Sequence, residues 1–172
     1  PDTYYFIKGS SDLDILQRAY KTMQNHLQNY WSERVESLPL NTPYEALILA
    51  SIIEKETGAE SDRAEIAGVF INRLRKGMKL QTDPTVIYGL GEQFDGNLRK
   101  KDLLADQEYN TYTRAGLPPT PISLPSLASI RAALNPAETD ALYFVAKGNG
   151  ESEFSTNLAD HNKAVNKYQK QQ

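Results

Sequence analysis

Thr42-Pro43-Tyr44-Glu45 opens the segment that most constrains this chain. It is a capping box with proline at the first helical position: Thr42 can accept from the amide of Glu45, and Glu45 can reach back. An apolar run follows, closing in Leu49-Ala50-Ser51-Ile52-Ile53-Glu54-Lys55-Glu56-Thr57-Gly58, where the glycine suits a left-handed stop. This pattern predicts a helix from Pro43 to Thr57. Within it Leu49, Ile52, Ile53 and Glu56 fall on one face, at i, i+3, i+4 and i+7. A carboxylate directed at a core is costly unless it is paired, hydrated or used. Desolvation would lift its pKa above the ordinary value of about 4.3. A general acid working near neutral pH needs such a shift. A solvated helix end, with Lys55 between Glu54 and Glu56, satisfies the same pattern, so the helix alone leaves both readings open.

The rest of the chain reads as helices with a small hairpin. A first helix starts near Ser11 or Asp12, with Leu16, Ala19, Tyr20, Met23, Leu27 and Tyr30 at helical spacing and Trp31 at its end, read as packing residues. A third helix runs from about Asp62 to Lys76, striped by Ile66, Val69, Phe70, Arg73 and Leu74 and stopped by Gly77. Asn72 and Arg73 are polar inside it, and a helix-end salt bridge is the plain reading of Arg73. Lys79 to Gly89 begins extended and ends in a short helical turn, with a turn signal at Asp83-Pro84. From Leu90 to Pro125 the pattern is loop-like, with a tight turn at Phe94-Asp95-Gly96-Asn97. A long irregular segment of this kind is usually functional or disordered, and its aromatics and asparagine argue against disorder. A fourth helix spans about Ser126 to Leu134. Leu142 to Ala146 reads as a buried strand, Gly148-Asn149-Gly150-Glu151 as a hairpin turn, and Glu153-Phe154-Ser155 as the return strand. A polar helix runs from Asn157 to the end. Helices and hairpin segregate along the chain, which predicts an α+β fold.

Composition narrows the function classes. At 172 residues one self-sufficient core is expected, and 40% hydrophobic with 24% charged residues is a globular balance. A net charge of −3 without a basic stripe gives no reason to expect nucleic acid, and Arg99-Lys100-Lys101 reads as a solvated loop. The absence of cysteine excludes disulfides, thiolate metal sites and cysteine nucleophiles. With His26 and His161 the only histidines, a His-based metal site is not expected, and nothing calls for a cofactor. No Gly-rich phosphate loop and no G-x-S-x-G elbow occurs. No stretch approaches the roughly 18 apolar residues of a membrane span. The chain begins Pro1-Asp2-Thr3, with no initiator methionine and no signal-like segment, and reads as a piece of a longer protein.

The remaining polar and aromatic residues suit a carbohydrate groove. Glu56 would serve as acid. Gln81, Thr82, Asp83, Asn110 and Thr111 offer hydrogen-bonding groups, and Tyr88, Tyr109 and Tyr112 offer flat faces for sugar rings. Prolines stiffen the loop and lower the ordering cost of binding. Each has a plainer role available: Asp83 as a turn cap, a tyrosine as core or rim, His161 as a structural hydrogen bonder on the tail helix.

Several segments resemble one family. They are Ala50-Ser51-Ile52-Ile53-Glu54-Lys55-Glu56-Thr57, Gly68-Val69-Phe70-Ile71-Asn72-Arg73-Leu74, and the long run Leu80-Gln81-Thr82-Asp83-Pro84-Thr85-Val86-Ile87-Tyr88-Gly89. Tyr109-Asn110-Thr111-Tyr112, Gly116-Leu117-Pro118-Pro119, Pro121-Ile122, Leu142-Tyr143-Phe144-Val145, Thr156-Asn157-Leu158 and His161-Asn162 follow in order. Together they resemble the endolytic murein transglycosylases, the YceG-like or MltG family, over nearly the whole chain. One departure is Ser123-Leu124-Pro125-Ser126, where an Asn-Pro-Gly-like turn would be expected.

The resemblance implies a mostly helical, lysozyme-like catalytic domain with Glu56 as the catalytic acid. It implies a peptidoglycan glycan strand as substrate, cut at the β-1,4 bond between N-acetylmuramic acid and N-acetylglucosamine with a 1,6-anhydro end. Gln81, Tyr88, Asn110, Tyr112 and the Pro118 loop would line the groove, with Asn157 and His161 in support and Asp83 in positioning. Family members usually carry an amino-terminal membrane helix and a small LysM-like domain. That implies the periplasmic face of the inner membrane as location and peptidoglycan synthases (penicillin-binding proteins) as partners. Two other readings compete: a hydrolytic muramidase with Asp83 as nucleophile or base, and a non-catalytic peptidoglycan-binding module.

Overall fold

The computed structural model describes residues 1–56 and 59–169. The predicted stop at Gly58 lies outside the described residues. Helix α1 (Asp12–Ser32) opens on a capping box: Ser11 Oγ accepts from the Asp14 amide at 3.1 Å, and Asp14 accepts from the Ser11 amide at 3.0 Å. No α1 residue is buried. Met23, Leu27, Tyr30 and Trp31 pack against the core as partly buried residues, whereas Leu16 and Tyr20 stand largely in solvent. The expected stripe therefore packs only along its second half.

Helix α2 (Pro43–Glu56) runs through the middle of the molecule. Thr42 accepts from the Glu45 amide at 3.2 Å, but Glu45 reaches one residue farther back than expected, to the Asn41 amide at 2.5 Å. From Ile48 to Ile53 every residue is buried, because α1 and the helices α3 (Glu60–Arg75), α4 (Asp83–Leu90) and α6 (Leu127–Leu134) all pack on it. A helix covered on this many sides has no single core face, so what singles out Glu56 is its place at the helix end.

Helix α3 (Glu60–Arg75) ends in a Schellman motif: Met78 donates to the Arg73 carbonyl and Gly77, at φ 64°, to that of Leu74. Helix α4 (Asp83–Leu90) takes the expected Asp83-Pro84 turn as its first turn. Arg99-Lys100-Lys101 is not a loop but the start of a short helix, α5 (Lys100–Leu104), with Asp102 accepting from the Arg99 amide at 2.9 Å. Helix α6 (Leu127–Leu134) is capped by Ser126.

Strands β1 (Tyr143–Ala146) and β2 (Ser152–Ser155) pair antiparallel, with Phe144 opposite Phe154. Helix α7 (Leu158–Tyr168) packs on this hairpin. An edge-on contact between Phe144 and Phe70, 5.8 Å between ring centroids, joins the hairpin to α3. The layout is α+β, with the core formed around Leu49, Ile52, Ile53, Ile66, Phe70 and Leu134. Among the described residues no helix is long and apolar enough to cross a membrane.

Candidate active site

A cleft of about 460 Å³ opens between the end of α2, the Leu80–Asp83 segment and the β1–β2–α7 unit. Glu56 stands at one side of it. The Thr82 hydroxyl donates to Glu56 Oε1. Burial pushes the Glu56 carboxyl up to about 7; the Thr82 bond pulls against that rise, and the charge of Asp83 adds to it. At neutral pH a large share of this group keeps its proton, the state a general acid requires.

Thr82 is itself held from below. Its amide donates to Thr111 Oγ1 at 3.1 Å, its carbonyl accepts from Thr85 Oγ1 at 2.8 Å, and the Thr85 and Thr111 hydroxyls meet at 2.9 Å. Gln81, one position before, sits at φ 52°, a left-handed conformation that a non-glycine residue adopts at a cost of about 1 kcal/mol or more. Its amide donates to the Thr111 carbonyl at 3.1 Å, and its Oε1 accepts from Arg73 at 3.3 Å. The strain lies where the chain must present Thr82 to Glu56.

Asp83 accepts from the Tyr112 hydroxyl at 2.5 Å. Burial and this bond together push the Tyr112 phenol well above its ordinary range, so it stays protonated and donates to Asp83. His161 lines the far side of the cleft, its ring stacked on Tyr143 at 5.1 Å. Burial, then the nearby charge of Arg73, lowers its pKa and keeps the ring neutral.

Of the residues singled out in the sequence, Glu56, Gln81, Thr82, Asp83, Tyr112 and His161 share this cleft. The others stand elsewhere. Asn110 is wholly buried: its amide nitrogen donates to the carbonyls of Asp102, Leu103 and Ala105, and its Oδ1 accepts from the Tyr112 amide. Thr111 is buried beneath Thr82, and Pro118 is buried in the loop. With no exposed polar surface, these three offer support rather than a contact surface. Tyr109 packs against the core and shares a hydrogen bond with Thr120; Tyr88, 46% exposed, lies against it at 4.9 Å, outside the cleft. Asn157 is exposed and caps α7, accepting from the Asp160 amide at 2.9 Å.

Two residues have roles that sequence reasoning missed. Glu54 is not a solvated companion of Glu56: its Oε2 accepts from the Ser126 amide at 3.0 Å, Ser126 Oγ at 2.7 Å and Ser129 Oγ at 2.5 Å. Burial acts to raise its pKa, but these bonds outweigh it and hold the carboxyl below its ordinary range. Ser126 thus fixes the end of α2 to the start of α6. Arg73 forms no ion pair among the described residues; it lies buried in the cleft floor and donates to backbone carbonyls. In the sequence it stood out as a charge within an apolar stripe and as part of the Gly68–Leu74 segment.

A profile of the YceG-like family matches residues 1–167. Over 169 residues the chain is 44% identical to the endolytic murein transglycosylase of Bacillus subtilis (strain 168), covering 98% of this chain and 46% of that protein. It is 33% identical over 171 residues to the endolytic murein transglycosylase of Streptococcus pneumoniae serotype 2, covering 96% and 30%. The crystal structure of a protein described as yceG-like from Listeria monocytogenes superposes with a TM-score of 0.80 at 42% identity, over 92% of this chain and 52% of that one. The chain therefore spans about half the length, or less, of these relatives. A match across nearly all of its residues, with this level of identity, makes the chain a member of the YceG-like family.

Proposed function

We propose that this chain carries the catalytic site of a peptidoglycan lytic transglycosylase, with Glu56 as both acid and base. The observation that carries the reading is a single carboxyl with a pKa near 7, oriented by Thr82 at the side of an open cleft. The names of the relatives point to murein as the substrate.

Protonated Glu56 gives its proton to the oxygen between N-acetylmuramic acid and N-acetylglucosamine as the oxocarbenium-like state develops. The resulting carboxylate takes the proton of the muramyl C6 hydroxyl, whose oxygen bonds to C1 and closes the 1,6-anhydro ring. The carboxyl ends as it began, and no water is consumed. Because Thr82 donates to Oε1, that oxygen is the carbonyl-like one in the acid form, which leaves the proton on Oε2. A retaining glycosidase would need a second carboxylate about 5 Å away as nucleophile, and the substrate's own C6 hydroxyl replaces it here. Asp83 is tied to Tyr112 and serves in positioning. Gln81, Tyr112 and His161 flank the strand, and Tyr88 offers a flat face to a more distant sugar. Such an enzyme acts in the cell envelope, at the periplasmic face of the inner membrane, beside the penicillin-binding proteins that extend the strand.

Glu56→Gln keeps the size of the side chain and its bond to Thr82 but has no proton to give. Purified strands should be cut by the parent protein into pieces one water lighter than hydrolysis products, and left uncut by the variant. Ordinary reducing ends would mark a muramidase using Asp83. Full cutting by a folded variant would remove Glu56 from the chemistry.

A further inference from the structure

Arg73 is 6% exposed, and no carboxylate pairs with it among the described residues. Its Nε donates to the Leu142 carbonyl at 2.6 Å; its Nη1 is shared among the carbonyls of Lys79 and Leu80 and the Gln81 amide oxygen, at 2.9–3.3 Å. Nη2 donates to nothing among the described residues. Carbonyl dipoles satisfy donors but supply no countercharge, and a buried cation without one is costly. The guanidinium carbon lies 4.9 Å from the Tyr143 ring centroid, and that same ring stacks on His161. All three residues line the cleft that holds Glu56. Water excluded by the two rings would strengthen any pairing made there.

We propose that Arg73, walled by Tyr143 and His161, is an anion subsite that takes a carboxylate of the substrate strand and so sets the strand's register against Glu56. The inference rests on the transglycosylase reading and adds to it the charged group that the site recognises. Guanidinium is well suited to a carboxylate, since the charge-assisted bond is about twice as strong as a neutral one. A glycan strand has two sources of this chemistry: the lactyl carboxylate of a muramyl residue freed of its peptide, and the carboxylates of the stem peptide itself.

The test uses peptide-stripped and peptide-bearing strands, each before and after conversion of its carboxylates to neutral amides, with the unmodified protein. Amidation should lower kcat/KM at least tenfold in whichever preparation carries the recognised carboxylate, and this identifies the source. Arg73→Gln, where folded, should cut free and amidated strands at equal rates. Equal kcat/KM for free and amidated strands of both kinds with the parent protein would overturn the subsite and leave the transglycosylase reading standing. Failure to cut any of the four preparations would remove that reading and the subsite with it.

Discussion

At the scale of single residues the protein turns on how one proton is held. Glu56 keeps its proton to about pH 7 because burial outweighs the donated bond from Thr82. Strand cutting should therefore decline as pH rises through about 7. Thr82→Val removes the one bond that lowers this pKa, so the declining limb should move to higher pH. The maximal rate should fall by up to about a hundredfold from lost orientation. Thr82→Ser should restore both, whereas a purely structural Thr82 would leave the limb in place. Stability carries the opposite face of the same shift. Below the ordinary carboxylate pKa of 4.5, Glu56 is protonated in the folded and the unfolded chain alike and makes no difference. Between 4.5 and about 7 the unfolded chain releases the proton while the folded chain keeps it, so stability drops as pH rises. Glu56→Gln escapes that penalty. Its unfolding free energy in urea should match the parent below about pH 4 and exceed it near pH 8, by at most about 3 kcal/mol at roughly 1.4 kcal/mol per pH unit.

At the scale of elements, α2 is fixed by residues on either side of its last turn. Glu54, two positions before the acid, satisfies the first turn of α6 through three bonds from Ser126 and Ser129. Its carboxylate also sits at the positive end of that helix. Glu54→Ala should cost about 2–3 kcal/mol in urea unfolding at neutral pH, the range for bonds to a charged group. Because the folded pKa is depressed, this contribution is present above the unfolded value of 4.5 and is lost as pH falls through the folded one, so parent and variant should converge in acid. Elements with explicit end signals were legible in the sequence: the start near Ser11 or Asp12, the Thr42-Pro43 opening and the stop at Gly77 bound real helices. Helix α5 was not legible, since a helix of little more than one turn has no period to detect. Asn110 was read as a ligand contact because polar loop residues invite that reading. The three carbonyls at the end of α5 claim it instead, since buried backbone groups must be satisfied first. Arg73 could not be placed, because its partner Leu142 lies 69 residues on and spacing along a helix says nothing of that distance.

At the scale of the whole molecule, the cleft is the space between a helical body and the β1–β2–α7 unit, and α3 is the seam. Asn72 donates to the carbonyls of Thr139 at 2.6 Å and Ala141 at 3.1 Å, Arg73 to that of Leu142, and the Ala137 amide to the Ala64 carbonyl at 2.9 Å. At the other end of α3, buried Asp62 accepts from the Ser152 amide at 2.5 Å. Gly68 lets the chain come this close: a Cβ there would stand 2.7 Å from the Ala137 carbonyl oxygen and the Thr139 methyl. A wall held by these few hydrogen bonds and the packing of Phe144 and Phe154 can loosen before the core around α2 and α6 comes apart, because that core has many more contacts of its own. Asn72→Ala should therefore raise amide exchange in β1, β2 and α7 and leave α2 and α6 protected. Strand cutting should weaken mainly through KM, since Glu56 and Thr82 both lie on the helical side of the seam. Gly68→Ala should act in the same direction and more strongly, as the clash is with backbone that must shift. If exchange instead rose evenly through both parts, or if kcat alone fell, the hairpin would be one with the core, and the cleft would owe its shape to the body as a whole.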